Sequence, residues 1–101
     1  MLERQIERYL AEKCAEIGAL CDKFSSPQKR SVPDRIVTYE GRVVFVELKA
    51  TNKEPTDAQH RDHQRRRTAG AIVVWLNSTA GVHEFVHKLK YNIPFDCEYV
   101  G

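Results

Sequence analysis

The sequence has no long apolar run, and this absence excludes a membrane-spanning helix. A helix that crosses a bilayer needs about 20 consecutive apolar residues, and the 101 residues of the chain contain no such stretch. The amino terminus, MLERQIERYLAEK, carries charges throughout and lacks the apolar segment of a signal peptide. We therefore expect a cytoplasmic protein with no membrane partner.

Cysteines are few, and their spacing excludes the common cysteine sites. The three cysteines are Cys14, Cys21 and Cys97. Their number is odd, and no two of them have the C-x-x-C spacing that zinc and redox sites use. We interpret them as free thiols, which agrees with an intracellular protein.

The sequence also lacks a large excess of positive or negative residues, because the net charge is only +2. The charges are nevertheless clustered: residues 60–67 hold four arginines and two histidines, and Lys29, Arg30 and Arg35 form a second basic group. Arginine clusters suit phosphate because one planar guanidinium can bind two oxygens. The alternative interpretation of such a run is a solvated helix face.

The composition and the periodicity predict one α/β domain spanning residues 1–101. The chain is long enough for one domain but not for two, and it is 42% hydrophobic and 30% charged. Apolar residues at steps of three and four predict a first helix over residues 2–17. A second helix is expected from about residue 55 to 68, and a third from Ser78 or Thr79 to Leu89.

Four segments rich in β-branched and aromatic residues predict strands, over residues 19–24, 35–39, 42–49 and 71–76. The turn Glu40-Gly41 joins the middle two into a hairpin. The last strand follows a helix and is apolar throughout, which favours a parallel neighbour. The predicted order is α-β-β-β-α-β-α, a small mixed central β-sheet flanked by helices.

Three charged residues stand where this sheet would end. Side chains alternate along a strand, so Glu47 and Lys49 share a face. Asp34 precedes the partner strand, so the hairpin would place it beside Glu47. Taken singly, each could be an ordinary surface or turn residue. Two close carboxylates repel unless a cation lies between them, and Mg²⁺ or Mn²⁺ suits such hard oxygen ligands.

These residues form a pattern that resembles a known family. Pro33-Asp34 followed by Glu47-Leu48-Lys49 resembles the PD-(D/E)xK nucleases, whose fold is restriction-endonuclease-like. The wider set resembles the VRR-NUC (virus-type replication-repair nuclease) family, whose short members are often phage-encoded. Its segments, from about residue 3 to 89, are Phe24-Ser25-Ser26-Pro27, Ser31-Val32-Pro33-Asp34-Arg35, Phe45-Val46-Glu47-Leu48-Lys49, and Pro55-Thr56 leading to Gln59. Serine stands at position 31, where glycine is usual, and a second usual glycine is missing near Gln28.

The resemblance implies roles for particular residues. Asp34, Glu47 and the backbone carbonyl of Leu48 would bind the metal, and Lys49 would orient or help deprotonate the attacking water. A first-helix glutamate would join them. Glu3 falls inside the apolar stripe and is favoured over Glu7, which lies at its edge, although either could simply suit the helix dipole.

The second predicted helix has little apolar surface to bury, which suggests a contact with DNA or with another subunit. The resemblance implies that Gln59 lies near the active site. We expect DNA contacts from a set of basic residues, namely Arg30, Arg35, Lys53, His63, Arg66 and Arg67. His63 could also act as a general base, but a surface phosphate contact is favoured.

The sequence thus predicts a metal-dependent, structure-selective DNA endonuclease with no small-molecule cofactor. A small domain has little surface for reading bases, which favours branched DNA such as junctions or flaps. Pairing into a homodimer would allow both strands to be cut, and the second helix and the aromatic tail (Tyr91, Phe95, Tyr99) are candidate contacts. The alternative is a module that binds nucleic acid without cutting it.

Overall fold

The computed structural model describes residues 1–29 and 31–96. Its helices and strands follow the predicted order, with ends shifted by only one or two residues, and the α/β prediction is confirmed. The elements are α1 (Glu3–Glu16), β1 (Leu20–Lys23), β2 (Arg35–Tyr39), β3 (Arg42–Leu48), α2 (Asp57–Thr68), β4 (Ile72–Leu76) and α3 (Thr79–Lys90).

The four strands form one mixed sheet in the order β1-β2-β3-β4. β3 pairs antiparallel with β2 as the predicted hairpin, and β4 runs parallel to β3, which agrees with its predicted parallel neighbour. β1 pairs antiparallel with the other edge of β2. Glu40 and Gly41 have φ angles of 45° and 83°. A two-residue hairpin turn of this kind needs positive φ at both positions, so the turn fixes the register in which Arg35 faces Val46.

The two faces of β3 have different partners. Val44, Val46 and Leu48 are fully buried in the main core, which α1 and α3 complete with Ile6, Leu10, Cys14, Val82, Phe85 and Leu89. The other face carries the alternate residues, including Phe45 and Glu47. α2 lies over that second face, so Glu47 points away from the main core and towards α2.

α2 is held in place by polar and arginine–aromatic contacts. Asp62 is 2% exposed and accepts hydrogen bonds of 2.8 Å from both Arg65 and Arg66. Burial acts to raise the pKa of Asp62, but these two bonds outweigh it and lower the pKa. The Arg66 guanidinium lies 5.1 Å and 5.2 Å from the ring centroids of Phe24 and Phe45. These contacts hold α2 on the sheet although the helix has little apolar surface; its expected contact with DNA or with another subunit stays a prediction.

Two of the three aromatic residues expected as dimer contacts can be placed in the structure. Phe95 packs on Phe85, with ring centroids 5.1 Å apart, and Arg42 lies 4.6 Å from the Phe95 centroid. Phe95 therefore packs against the chain's own core, and its use as a dimer contact stays a prediction. Tyr91 is 60% exposed, and Tyr99 falls outside the described residues.

Two of the cysteines can be placed. Cys14 is a buried free thiol and Cys21 a half-buried one, as interpreted from the sequence, whereas Cys97 falls outside the described residues. Across residues 1–29 and 31–96, no helix is both long and apolar enough to cross a membrane.

We expect Asp62→Ala to destabilise the domain by about 1–3 kcal/mol, because it leaves the half-buried Arg66 without its carboxylate. The melting temperature should fall by roughly 5–15 °C in a thermal unfolding experiment. Asp22→Ala, at an exposed strand position, is the matched control and should change stability by only about 0.5 kcal/mol. Equal melting temperatures for the two variants would contradict this account of how α2 is held.

Candidate active site

Asp34 and Glu47 meet at one rim of the sheet. Asp34 immediately precedes β2, and the pairing of Arg35 with Val46 places it opposite the end of β3. The two carboxyl groups lie close enough for Asp34 to perturb the Glu47 carboxyl. Asp34 Oδ2 also accepts a 2.8 Å hydrogen bond from the backbone N–H of Leu48. The hairpin register therefore brings together two acids that are 13 positions apart in the sequence.

Glu47 is strongly perturbed by this arrangement. Its side chain is 1% exposed, and burial is the main cause that raises the pKa of Glu47 to about 9. The contact with Asp34 and the charge of Glu3 raise this pKa further, whereas the charge of Lys49 lowers it. The Glu47 carboxylate thus needs either a proton or a nearby cation.

Two residues of α2 contact the Glu47 carboxyl. Gln59 Nε2 donates to Glu47 Oε2 over 3.3 Å, while Gln59 Oε1 accepts from the backbone N–H of Thr56 at 2.9 Å. Thr56 in turn caps the helix by accepting from the Gln59 N–H. This capping box fixes the Gln59 side chain, so the start of α2 is tied to the candidate site.

The second contact comes from His63, which is fully buried. Its Nε2 atom lies 3.6 Å from Glu47 Oε1, and that oxygen has no hydrogen-bond donor among residues 1–29 and 31–96. The expectation that His63 is a surface phosphate contact is therefore wrong. The pattern did not reveal its inward direction, because α2 has no apolar stripe to mark a buried face.

Glu3 and Glu7, the two first-helix candidates, have different surroundings. Glu7 Oε2 accepts a 2.7 Å hydrogen bond from Arg35, which also donates to the backbone carbonyl of Cys21. Glu3 is exposed, and its pKa is raised by partial burial and by the charges of Asp34 and Glu7, with Lys49 opposing. Glu3 is thus the candidate close to the carboxylate pair, and its position inside the apolar stripe did not bury it.

Lys49 follows β3 and shares the rim. Its backbone N–H donates to the carbonyl of Leu76 over 2.9 Å, which extends the pairing of β3 with β4 by one residue. The half-buried side chain is close enough to lower the pKa values of both Glu47 and Glu3. Three acids and one amine therefore interact electrostatically at this end of the sheet.

The basic residues selected from the sequence are mostly engaged within the protein. The Arg35 side chain bonds to Glu7 and Cys21, Arg66 bonds to Asp62, and Arg67 donates to the Val73 carbonyl. Of the other selected residues, Lys53 is exposed, and Arg30 lies outside the described residues.

Three exposed basic residues of the two charge clusters, Lys29, Arg61 and Arg65, were not among the expected DNA contacts. Arg61 and Arg65 are four positions apart on α2, a spacing that places both on one helix face. The sequence showed this spacing, but it did not show which face of α2 points outward.

The fold and the carboxylate–lysine rim together define a nuclease-like α/β domain. No model of a known protein family matches the chain. The chain is similar to a solved structure described as "VRR_NUC domain", with a TM-score of 0.77 and 31% sequence identity over 84% of this chain and 94% of that one.

The chain is also similar to a protein named "Putative nuclease p44", from Acyrthosiphon pisum secondary endosymbiont phage 1. It is 42% identical over 77 residues, which cover 75% of this chain and 83% of the relative. On these two similarities, the chain belongs to the VRR-NUC family.

The perturbed pKa of Glu47 predicts how the stability of the metal-free protein depends on pH. The pKa is about 9 when folded, against an ordinary value of 4.5, so the folded state keeps a proton that the unfolded chain releases. Stability is therefore greatest below about pH 4.5 as far as this group is concerned, and it falls as pH rises towards 9.

The measurement is thermal unfolding in EDTA at several pH values between about 5 and 8. A loss on the order of 1 kcal/mol or more is expected over that range, because one pKa unit corresponds to about 1.4 kcal/mol. Glu47→Gln does not titrate and should remove most of this loss. Identical pH profiles for the wild type and the variant would show that Glu47 is not the group responsible.

Proposed function

We propose that this protein is a divalent-metal-dependent deoxyribonuclease that hydrolyses phosphodiester bonds. The observation that carries the proposal is the close approach of Asp34 and Glu47, with the Lys49 amine at the same rim. A pair of carboxylates in contact repels a third negative group unless a cation is present. Membership of the VRR-NUC family and the name of the phage relative support the same reaction.

The donor set fits a hard divalent cation. Asp34 and Glu47 would hold it, with the carbonyl of Leu48, and Glu3 adds negative charge at the rim. Among residues 1–29 and 31–96, no three His, Cys, Asp or Glu side chains are grouped to hold a metal. Two carboxylates nevertheless suit Mg²⁺ or Mn²⁺, since Mg²⁺ commonly binds one or two carboxylates and keeps several waters. When bound, such an ion would polarise a phosphate oxygen and acidify a water molecule.

The surrounding residues have positioning and electrostatic roles. Gln59 holds Glu47 Oε2 and His63 lies against Oε1, so α2 fixes the direction of this carboxyl. The Leu48 N–H does the same for Asp34. Lys49 brings positive charge to the place where a phosphate would gain negative charge in the transition state, and it could orient the attacking water.

Branched DNA is the substrate class that we favour. The domain has little surface for reading base edges, so contacts to the backbone and to DNA shape would dominate. A homodimer would present two such sites related by a two-fold axis, which suits cleavage of both strands at a symmetric junction.

A non-cleaving nucleic-acid-binding module is the second candidate. One observation favours it: Asp34 Oδ2 bonds the Leu48 N–H, a structural contact, and a proton on Glu47 would satisfy the carboxyl pair without a metal. Measurements of DNA cleavage and of metal binding distinguish the nuclease from the binding module.

We expect Asp34→Ala and Lys49→Ala each to lower the cleavage rate by about 100-fold or more, the usual loss when a charge-stabilising group is removed. The substrates are a plasmid, a four-way junction and a flap, each with Mn²⁺, Mg²⁺ or EDTA. Lys90→Ala, at an exposed position of α3, is the control for Lys49 and should cut at the wild-type rate. If no DNA is cut with either metal, the binding module becomes the better account; wild-type cleavage by a variant would remove that residue from the proposed site.

We also expect Mn²⁺ or Mg²⁺ to stabilise the folded protein, with a readout that does not depend on activity. At a metal concentration of about 100 Kd, binding adds roughly 2.7 kcal/mol of stability. This would raise the melting temperature by several degrees. Asp34→Asn, which retains an oxygen to accept the Leu48 N–H, should lose most of the shift. An equal shift in this variant would mean that the ion binds elsewhere.

A further inference from the structure

A basic cleft lies between α2 and the segment that precedes β2. Its cavity, of about 320 Å³, is lined by Lys29, Ser31, Ala58, Arg61, Asp62 and Arg65. A second cavity, of about 510 Å³, adjoins it because Lys29 and Arg65 line both, and Phe24, Val32 and Arg66 are among the other lining residues. We use the name basic cleft for these two connected cavities.

The cations of the basic cleft differ from the other arginines of α2. Lys29 and Arg61 are exposed, and neither side chain takes part in a hydrogen bond or ion pair within residues 1–29 and 31–96. The Arg65 side chain is 55% exposed although it bonds to Asp62. In contrast, the Arg66 side chain is 17% exposed and lies over two aromatic rings.

This arrangement of charge opposes folding slightly instead of assisting it. Arg61 and Arg65 are like charges at positions i and i+4, a spacing that destabilises a helix by a few tenths of a kcal/mol. Lys29 adds a third positive charge across the cavity. An anionic ligand would relieve this repulsion, and phosphate groups suit it because guanidinium can bind two of their oxygens.

The basic cleft and the candidate active site share the segment that precedes β2. Ser31 and Val32 line the cleft and stand three and two residues before Asp34. A fully extended chain spans at most about 3.6 Å per residue, so Ser31 lies within roughly 11 Å of Asp34. Successive phosphates of one strand of a duplex are about 3.4 Å apart along its axis. A strand that passes from Asp34 to the cleft would therefore reach it within about three nucleotides of the site.

We propose that the basic cleft binds the backbone phosphates of the DNA strand that flanks the cleaved bond, within about three nucleotides of it. This inference rests on the proposed function for its substrate. Lys29, Arg61 and Arg65 would then make the main phosphate contacts. The other arginines that bond within the protein would not. The contacts are to the backbone, so they position DNA without selecting a sequence.

The first test is DNA binding in EDTA, measured by fluorescence anisotropy with a labelled four-way junction over a range of salt concentrations. Arg61→Ala/Arg65→Ala should weaken binding by roughly tenfold and lower the slope of log K against log salt by about 2, because each phosphate contact contributes about 0.9 to that slope. Arg8→Ala/Lys90→Ala removes the same charge from exposed positions on α1 and α3 and is the matched control.

Folding of the variants is checked by thermal unfolding, because Arg65 also bonds to Asp62. Lys29→Ala/Arg61→Ala alters no ion pair of the described residues and should give the same loss of affinity and slope. If both double variants bind like the control, the basic cleft is not a phosphate site and the inference is overturned.

The second test locates the phosphates. Substrates carrying one uncharged methylphosphonate at successive positions are cleaved by the wild type and by Arg61→Ala/Arg65→Ala. Replacement within about three nucleotides of the cut should raise KM for the wild type, leave kcat nearly unchanged, and have little further effect on the variant. If the methylphosphonate raises KM as much for the variant as for the wild type at every position, the inference is overturned. Cleft-dependent binding without any cleavage would instead overturn the proposed nuclease activity and leave the phosphate site standing.

Discussion

The carboxyl groups of Asp34 and Glu47 lie close together at the end of β3, and the remainder of the site is arranged around this pair. Like charges at such a distance are unfavourable, and burial of Glu47 makes them more so. The contact is imposed by the hairpin: the Glu40-Gly41 turn sets the register, and the Leu48 N–H holds the Asp34 carboxylate in position. Backbone pairing thus maintains a contact that the side chains alone would avoid.

α2 is attached to this pair by polar contacts instead of by an apolar stripe. Gln59 and His63 lie against the two oxygens of Glu47, and Asp62, which lies between them in the sequence, organises Arg65 and Arg66. The same helix therefore orients the buried carboxyl on its inner face and presents cations on its outer face. A change in how α2 packs would alter both surfaces together.

The sequence predicted what periodicity and hairpin geometry determine. The order of the elements, the parallel pairing of β4 and the meeting of Asp34 with Glu47 all follow from apolar patterns and from one turn. The inner and outer faces of α2 could not be predicted, because its buried residues include a charged Asp62 and a His63. The difference between Glu3 and Glu7 was also hidden, since it depends on Arg35, which is 28 positions from Glu7.

The alternation of side chains along β3 explains how a small domain can tolerate such a site. Val44, Val46 and Leu48 lie in the main core with α1 and α3, while Glu47 lies on the opposite face and Lys49 follows on that same face. Neighbouring residues of β3 thus have opposite effects on stability: the burial of the apolar side chains stabilises the strand, and the burial of the Glu47 carboxyl destabilises it. Because an apolar face holds β3 rigidly in place, the acidic face does not need to be stable by itself. A site that must leave room for a cation can therefore remain under electrostatic strain in the free protein.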